Sequence, residues 1–317
     1  MSALAVIPSP AHRMVGRPNA RVDSSDAICG SLSWIIHTRS PRARSVLTFF
    51  AQDTGTHNLV YANADVSKAS QAREVIAFCD HWKTVSGNDP AMLIMDQKVT
   101  THPVLGELDD RGIKFLTLRM RSAALVKHID ALGAKDFKTV TLDRPGKFNR
   151  PKVNESVGVR LTGYPGTVRQ LTVTGLGRDT PTVIITNDHD TSVKALIEHY
   201  ARRMTIEQRL AEIIQAFHAD ALSSAVNLNA DLDIMLCVLA QALTAALRAR
   251  LPGYHNVTPD VLQRRFLETP GRITTTSDII TVRLDRRAYS PVLRQADLPH
   301  NTRVPWWDNR TLHFEFS

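Results

Sequence analysis

"LIMDQKVTTHPVLGELDDRGIKFLTLRMR", residues 93–121, decides the architecture. It continues a short apolar run that starts at Ala91 and ends in Asp96, which reads as a buried strand. "HPVLGELDDRG" then has helical spacing and is stopped by Gly112, and "IKFLTLRMR" (113–121) returns to a strand pattern. A helix between two strands forms a right-handed crossover, which makes the two strands parallel neighbours. Upstream, "SVLTFFAQ" (45–52) and "HNLVYANAD" (57–65) flank the turn "DTGT" and predict a hairpin. Between hairpin and crossover, residues 67–85 place Val75, Ile76, Phe78, Cys79 and Trp82 on one helical face. A hairpin followed by helix, strand, helix and strand predicts an α/β fold with a mixed sheet flanked by helices.

Downstream the pattern changes. "KTVTLDRP", "SVGVRLTGYPG", "TVRQLTVTGLG" and "TPTVIITND" are β-rich runs punctuated by Gly, Pro and Asn, and predict a β-rich insertion at about 122–190. Helix resumes at about 192, with Thr191 or Ser192 as cap, and is predicted to run unbroken to Phe217. Residues 230–251 are apolar almost all round and read as a buried helix. Thr258-Pro259 marks the start of a short helix, and the tail alternates in a β manner, with Trp306 and Trp307 expected to pack onto the core. Residues 1–44, rich in Pro, Ser, Arg and Gly, are expected to form a poorly ordered segment ahead of a 45–317 domain.

Composition narrows the function. Thirty-nine Lys and Arg against thirty-one Asp and Glu give +8 and an isoelectric point near 9.6, a balance that attracts polyanions. Cys29, Cys79 and Cys237 stand singly, which argues for a reducing cytoplasm and against a zinc site or a disulfide framework. The first eighteen residues make a poor secretory signal, and no apolar run is expected to reach the ~18 residues that span a bilayer.

Two carboxylates stand out. Asp96 closes an apolar strand, and in parallel α/β sheets active sites gather at the carboxyl ends of strands. Taken singly, it is better explained as a solvated strand-end acid starting a turn. Glu207 shares a helical stripe with Leu196, Tyr200, Arg203, Ala211, Ile214 and His218. The bland account is a solvent-facing helix ion pair with Arg203, worth ~0.3–0.5 kcal/mol. Taken together, a strand-end Asp and a helix Glu can hold divalent metal through hard oxygen ligands. Two ions ~3.5–4 Å apart would activate a hydroxyl and stabilise the leaving oxygen of a phosphodiester. Arg203 and Tyr200 would then face the phosphate backbone. His218 reads as a helix-end residue.

The spacing of Tyr200, Arg203 and Glu207 resembles the DDE transposases of bacterial insertion sequences. The group it resembles is insertion-sequence-four-like, whose signature is Tyr, two residues, Arg, three residues, Glu, six residues, Lys. Residues 93–121 resemble the family's second-Asp region, and the β-rich stretch before Glu207 resembles the insertion that this group carries. The resemblance implies a ribonuclease-H-like fold and DNA as substrate, with no membrane partner and a homodimer left open. It implies Asp96 and Glu207 as catalytic metal ligands for Mg2+ or Mn2+ in a two-metal site, and Tyr200 and Arg203 as DNA-binding residues. The activity implied is metal-dependent cleavage and strand transfer in the bacterial cytoplasm. Two departures stand out. The signature's Lys falls on Ile214. The family's first Asp also has no counterpart in "LSWIIHT" (32–38), where strand one is expected. Asp23 and Asp26 lie upstream of any strand pattern, and Asp53 sits in a hairpin turn facing the wrong end of the sheet, so the first carboxylate stays unassigned. An N-terminally truncated or frame-damaged copy accounts for the missing first Asp and for the little room left ahead of the core for DNA-recognition residues, and a non-catalytic DNA-binding remnant is the competing reading.

Overall fold

The computed structural model describes residues 3–9, 32–36 and 44–316, apart from 98, 145, 146, 178, 222, 224 and 225. Asp23, Asp26 and most of the expected disordered segment therefore lie outside the described residues. The chain divides into two compact units. The first holds Met1–Ala211 with His218–Val238, and the second Glu212–Phe217 with Leu239–Ser317.

In the first unit the chain forms β1 (Ala3–Ser9), β2 (Leu32–Ile36), β3 (Arg44–Asp53), β4 (Leu59–Val66) and α1 (Gln71–Ser86). It continues with β5 (Met92–Met95), α2 (His102–Asp110), β6 (Lys114–Leu118) and α3 (Ala123–Asp130). Next come β7 (Lys138–Thr139), β8 (Lys152–Val159), β9 (Val168–Thr174) and β10 (Thr182–Thr186), followed by α4 (Val193–Arg202), the start of α5 (Met204–Phe217), whose Glu212–Phe217 belongs to the second unit, and the first half of α6 (Asn227–Arg250), up to Val238. The sheet runs β4-β3-β1-β5-β6-β10-β9-β8-β7, with β2 beside the outer half of β3. β1, β5 and β6 are parallel, while β3 and β10 run antiparallel to them. The expected crossover is present as β5–α2–β6. Pro103 sits in the first turn of α2, and Gly112, at φ +70°, takes the left-handed conformation that ends it.

Every residue of β5 is buried, as a central parallel strand demands. Its alternation sorts the core into two layers. Leu93 and Met95 join Val75, Phe78 and Cys79 of α1 and Leu105 and Leu108 of α2 on one face. Met92 and Ile94 join Leu196 and Ile197 of α4 on the other. Helices thus cover both faces. The β-rich stretch does not form a separate body, because β10 pairs with β6 and carries β9 and β8 outward as continuations of the same sheet.

Several expectations are corrected. The strand between β3 and β5 is Ala3–Ser9, whereas Leu32–Ile36 pairs further along β3. The helix expected to be unbroken from 192 to 217 is interrupted at Arg203, which separates α4 from α5. The helix expected to be buried is α6, and Leu228, Leu232, Met235, Leu236, Leu239 and Leu243 on it are all exposed. Leu228–Arg250 is also long and apolar enough, with a mean hydropathy of 1.7 over an 18-residue window, to cross a membrane by length and composition. Composition alone could not tell a helix wrapped by its own chain from one with an open face.

The second unit contains the end of α6, α7 (Pro259–Leu262), β11 (Gly271–Thr275), β12 (Ile279–Leu284), α8 (Ser290–Gln295), β13 (Thr302–Val304) and β14 (Arg310–Phe316). Its four strands run β11-β12-β14-β13. Leu251, Leu262, Phe266, Leu293 and Ala296 form its core. Trp306 is 82 % and Trp307 48 % exposed, so this pair does not pack the tail onto a core.

Candidate active site

Asp96 leaves the carboxyl end of β5, beside the carboxyl ends of β1 and β6. Its carboxylate is 1 % exposed. One oxygen accepts from the backbone N–H of Gln97 at 2.8 Å, and the Thr117 hydroxyl donates to the Asp96 carbonyl at 3.3 Å. Strand packing therefore sets this acid deep and fixes its direction.

Arg203 lies at the break between α4 and α5 and turns inward. One guanidinium nitrogen, Nη1, stands 3.3 Å from Asp96 Oδ2 and 3.2 Å from Glu207 Oε1. Because one atom touches both, those oxygens are at most about 6.5 Å apart, the two contacts laid end to end. That span lies within reach of ions ~3.5–4 Å apart, although a single Mg2+ with ligands at ~2.0–2.1 Å would need both side chains to close further. Burial disfavours the Arg203 charge, but Tyr200, Asp96 and Glu207 outweigh it and hold the guanidinium above its ordinary value. Glu207 is 41 % exposed, so the acid pair has one dry and one wet member.

Tyr200, one turn earlier, packs partly buried against the α4 face of the sheet core. Its ring lies 5.7 Å from the Arg203 guanidinium carbon, a cation–π contact that helps hold the arginine inward. Tyr200 and Arg203 thus face the acids and the core. To meet a phosphate, Arg203 must leave both acids. The stripe of the sequence reading is real over Tyr200, Arg203 and Glu207. His218 follows the end of α5 at φ +51°, as a helix-end residue.

Other groups set the position of α5, and no pattern in the sequence signals them. The Thr205 hydroxyl donates to Gln52 Oε1 at 2.9 Å, and Arg209 donates to the His57 carbonyl at 3.1 Å. Gln52 is fully buried on β3, so these bonds tie the first turns of α5 to the hairpin. On α4, Asp188 does similar work. Fully buried, it accepts from Thr191 and from Lys114 of β6 at 2.6 and 2.9 Å, fixing the chain just before the Ser192 cap. Burial alone would raise its pKa, but these bonds draw it down to about 2.

Asp53 is engaged elsewhere. Its carboxylate accepts from Gly55 N and from the backbone and hydroxyl of Thr56, closing the β3–β4 turn. No acid takes the place of a third ligand on either early strand. Asp23 and Asp26 are the only acids in the first 52 residues, and neither Ala3–Ser9 nor Leu32–Ile36 contains one. Val6 pairs with Met95, so the next step of the register sets Ile7 level with Asp96. Among the described residues no three of His, Cys, Asp and Glu gather closely enough to hold a metal ion. The donor set present is two carboxylates with a guanidinium between them. Among the described residues it fits one divalent ion if the arginine withdraws.

Comparison with curated proteins returns no match. The family model described as "Transposase DDE domain" matches residues 24–243, more than two thirds of the chain. The matched region takes in β2 through the first two thirds of α6, including Asp96, Arg203 and Glu207. With a mixed sheet of this order and an acid pair at its carboxyl edge, the chain belongs to the DDE transposase family.

Proposed function

We propose that this chain binds duplex DNA and cleaves phosphodiester bonds at the Asp96–Glu207 pair, as an insertion-sequence-four-like transposase, with strand transfer slow or absent. The observation that carries the reading is one guanidinium nitrogen within 3.3 Å of both a strand-end acid and a helix acid. Folding has brought residues 111 positions apart to one point at the edge where α/β sheets place their chemistry. A divalent ion bound there would polarise a phosphodiester oxygen and lower the pKa of an attacking water. Asp96, held rigidly by Gln97 and the strand, is the fixed ligand, and Glu207, half-exposed on α5, is the adjustable one. Arg203, released from the acids, would swing to the phosphate and bind it by two parallel N–H donors. Among the described residues no third carboxylate joins the pair, and that limits the rate.

The competing reading is a domain that binds DNA without chemistry. It is favoured by Arg203 itself, which already pairs with both acids, and by Ile7 at the register position beside Asp96. Nicking of supercoiled plasmid in MnCl2 separates the two. Slow nicking lost in both Asp96→Asn and Glu207→Gln supports cleavage at this pair. DNA binding with no nicking supports the non-catalytic reading, and nicking that survives both substitutions refutes the site.

A further inference from the structure

Where the chain leaves β12 and enters α8, the second unit holds an open cavity of about 630 Å³, and Arg286, Arg287, Ser290 and Arg294 supply its polar lining. No Asp or Glu lines it, and among the described residues none of its three arginines is ion-paired. Three other arginines of the same unit, Arg248, Arg283 and Arg310, do pair with Glu212, Glu315 and Asp308. Like charges gathered without a counter-ion repel one another, so an anion seated among them lowers the energy of the arrangement.

Two of the guanidiniums are held in place by the chain itself. Arg287 Nη1 donates to the Glu268 carbonyl at 3.1 Å, and Arg294 Nη2 donates to the Phe316 carbonyl at 3.3 Å. The Arg294 guanidinium carbon also stands 5.5 Å from the centre of the Phe316 ring. Each carbonyl occupies one arm of its arginine and leaves the other N–H groups for a ligand. No bond ties the Arg286 side chain to the rest of the described residues. Ser290 is 3 % exposed, and its Oγ accepts from the backbone N–H of Arg287 at 2.8 Å. Its own proton meets no acceptor among the described residues. The wall thus offers donors from four side chains and no free acceptor, which is the complement of an oxyanion.

We infer that this cavity seats a phosphate of the DNA backbone, a contact made by residues of the second unit alone. The inference rests on the reading that the chain binds duplex DNA. Size favours a polymer over a free ion, because at ~30 Å³ each the cavity has room for roughly twenty waters, more than a lone phosphate fills. Composition favours phosphate as the anion. The last lysine of the chain is Lys194, so all Lys and Arg positions of the second unit are arginine, which grips phosphate through two parallel N–H donors.

Fluorescence anisotropy of a labelled duplex with the full chain, in chelator and across a range of KCl, tests this independently of cleavage. Arg286→Ala/Arg294→Ala should bind the duplex more weakly than wild type, with a log K versus log salt slope shallower by ~1–2. Arg272→Ala/Arg303→Ala removes the same charge from exposed positions of the same unit outside the cavity, and should leave the slope unchanged. Arg286→Glu keeps both carbonyl ties, so it should weaken binding at an unchanged thermal midpoint even if the double variant is less stable. Binding by Arg286→Glu equal to wild type overturns the inference, as does a control pair that flattens the slope as much as the cavity pair. Inorganic phosphate that binds wild type and not the double variant, with duplex binding the same in both, assigns the cavity to a free anion and overturns the DNA contact. A wild-type chain that does not bind duplex at all overturns the DNA-binding reading together with this one.

Discussion

Replacing Arg203 by Met tests whether this guanidinium is the cation that keeps Asp96 buried. Arg203 is 5 % and Asp96 1 % exposed by side chain, so the substitution leaves a carboxylate in a dry site with its nearest positive charge gone. Breaking one partner out of a buried pair typically costs 3–5 kcal/mol. Glu207, at 41 % exposed, can relax into water, which places the expected cost near the lower bound, about 3 kcal/mol. For a unit of this size that is a fall of roughly 6–12 °C in midpoint. Asp96→Asn removes the stranded charge while keeping the shape. On that background Arg203→Met should cost only about 1 kcal/mol, mostly the helix pair with Glu207 and lost packing, which leaves a coupling of about 2 kcal/mol. Urea unfolding of the four proteins in chelator, followed by circular dichroism and by Trp fluorescence, measures the cycle. A cost below about 1 kcal/mol in the Asp96 background, or one that Asp96→Asn leaves unchanged, would refute the reasoning.

Two further outcomes follow from the structure. Asp188 has its pKa drawn down to about 2, so its stabilisation is complete above the unfolded value near ~3.9 and is lost as pH falls towards 2. Allowing for the 40 % exposure of Lys114, about 1–2 kcal/mol should disappear across that window, and acid titration of Asp188→Asn should show a flatter profile there. In the second unit Arg286, Arg287 and Arg294 line one pocket with Ser290. If they contact phosphates, the triple Ala variant should bind duplex DNA more weakly, with a log K versus log salt slope shallower by ~2–3, whereas an unchanged slope would exclude them from the interface.

Much of the fold was legible because its central elements carry strong periodic signals. The apolar run ending at Asp96, the helix stopped by Gly112 and the strand after it are where the pattern put them. The interruption at Arg203 was not legible, since "YARRMTIE" contains no breaker and the residue at the break pairs with an acid 107 residues away. For the same reason, the spacing of Tyr200, Arg203 and Glu207 revealed a shared stripe but not that it points inward. The tie from Thr205 to Gln52 had no sequence signature at all, because it depends on which strand the helix meets. α6 was misread in a different way. An all-apolar helix has the same composition whether its leucines meet their own core or another surface.

The account rests on Asp96 and Glu207 forming one cation site, and calorimetric titration of MnCl2 into the chain tests this most directly. Arg203→Met should bind one ion per chain, more tightly than wild type, and the heat should vanish when either Asp96→Asn or Glu207→Gln is added. Binding that ignores both acid substitutions, or no binding once Arg203 is removed, would contradict it.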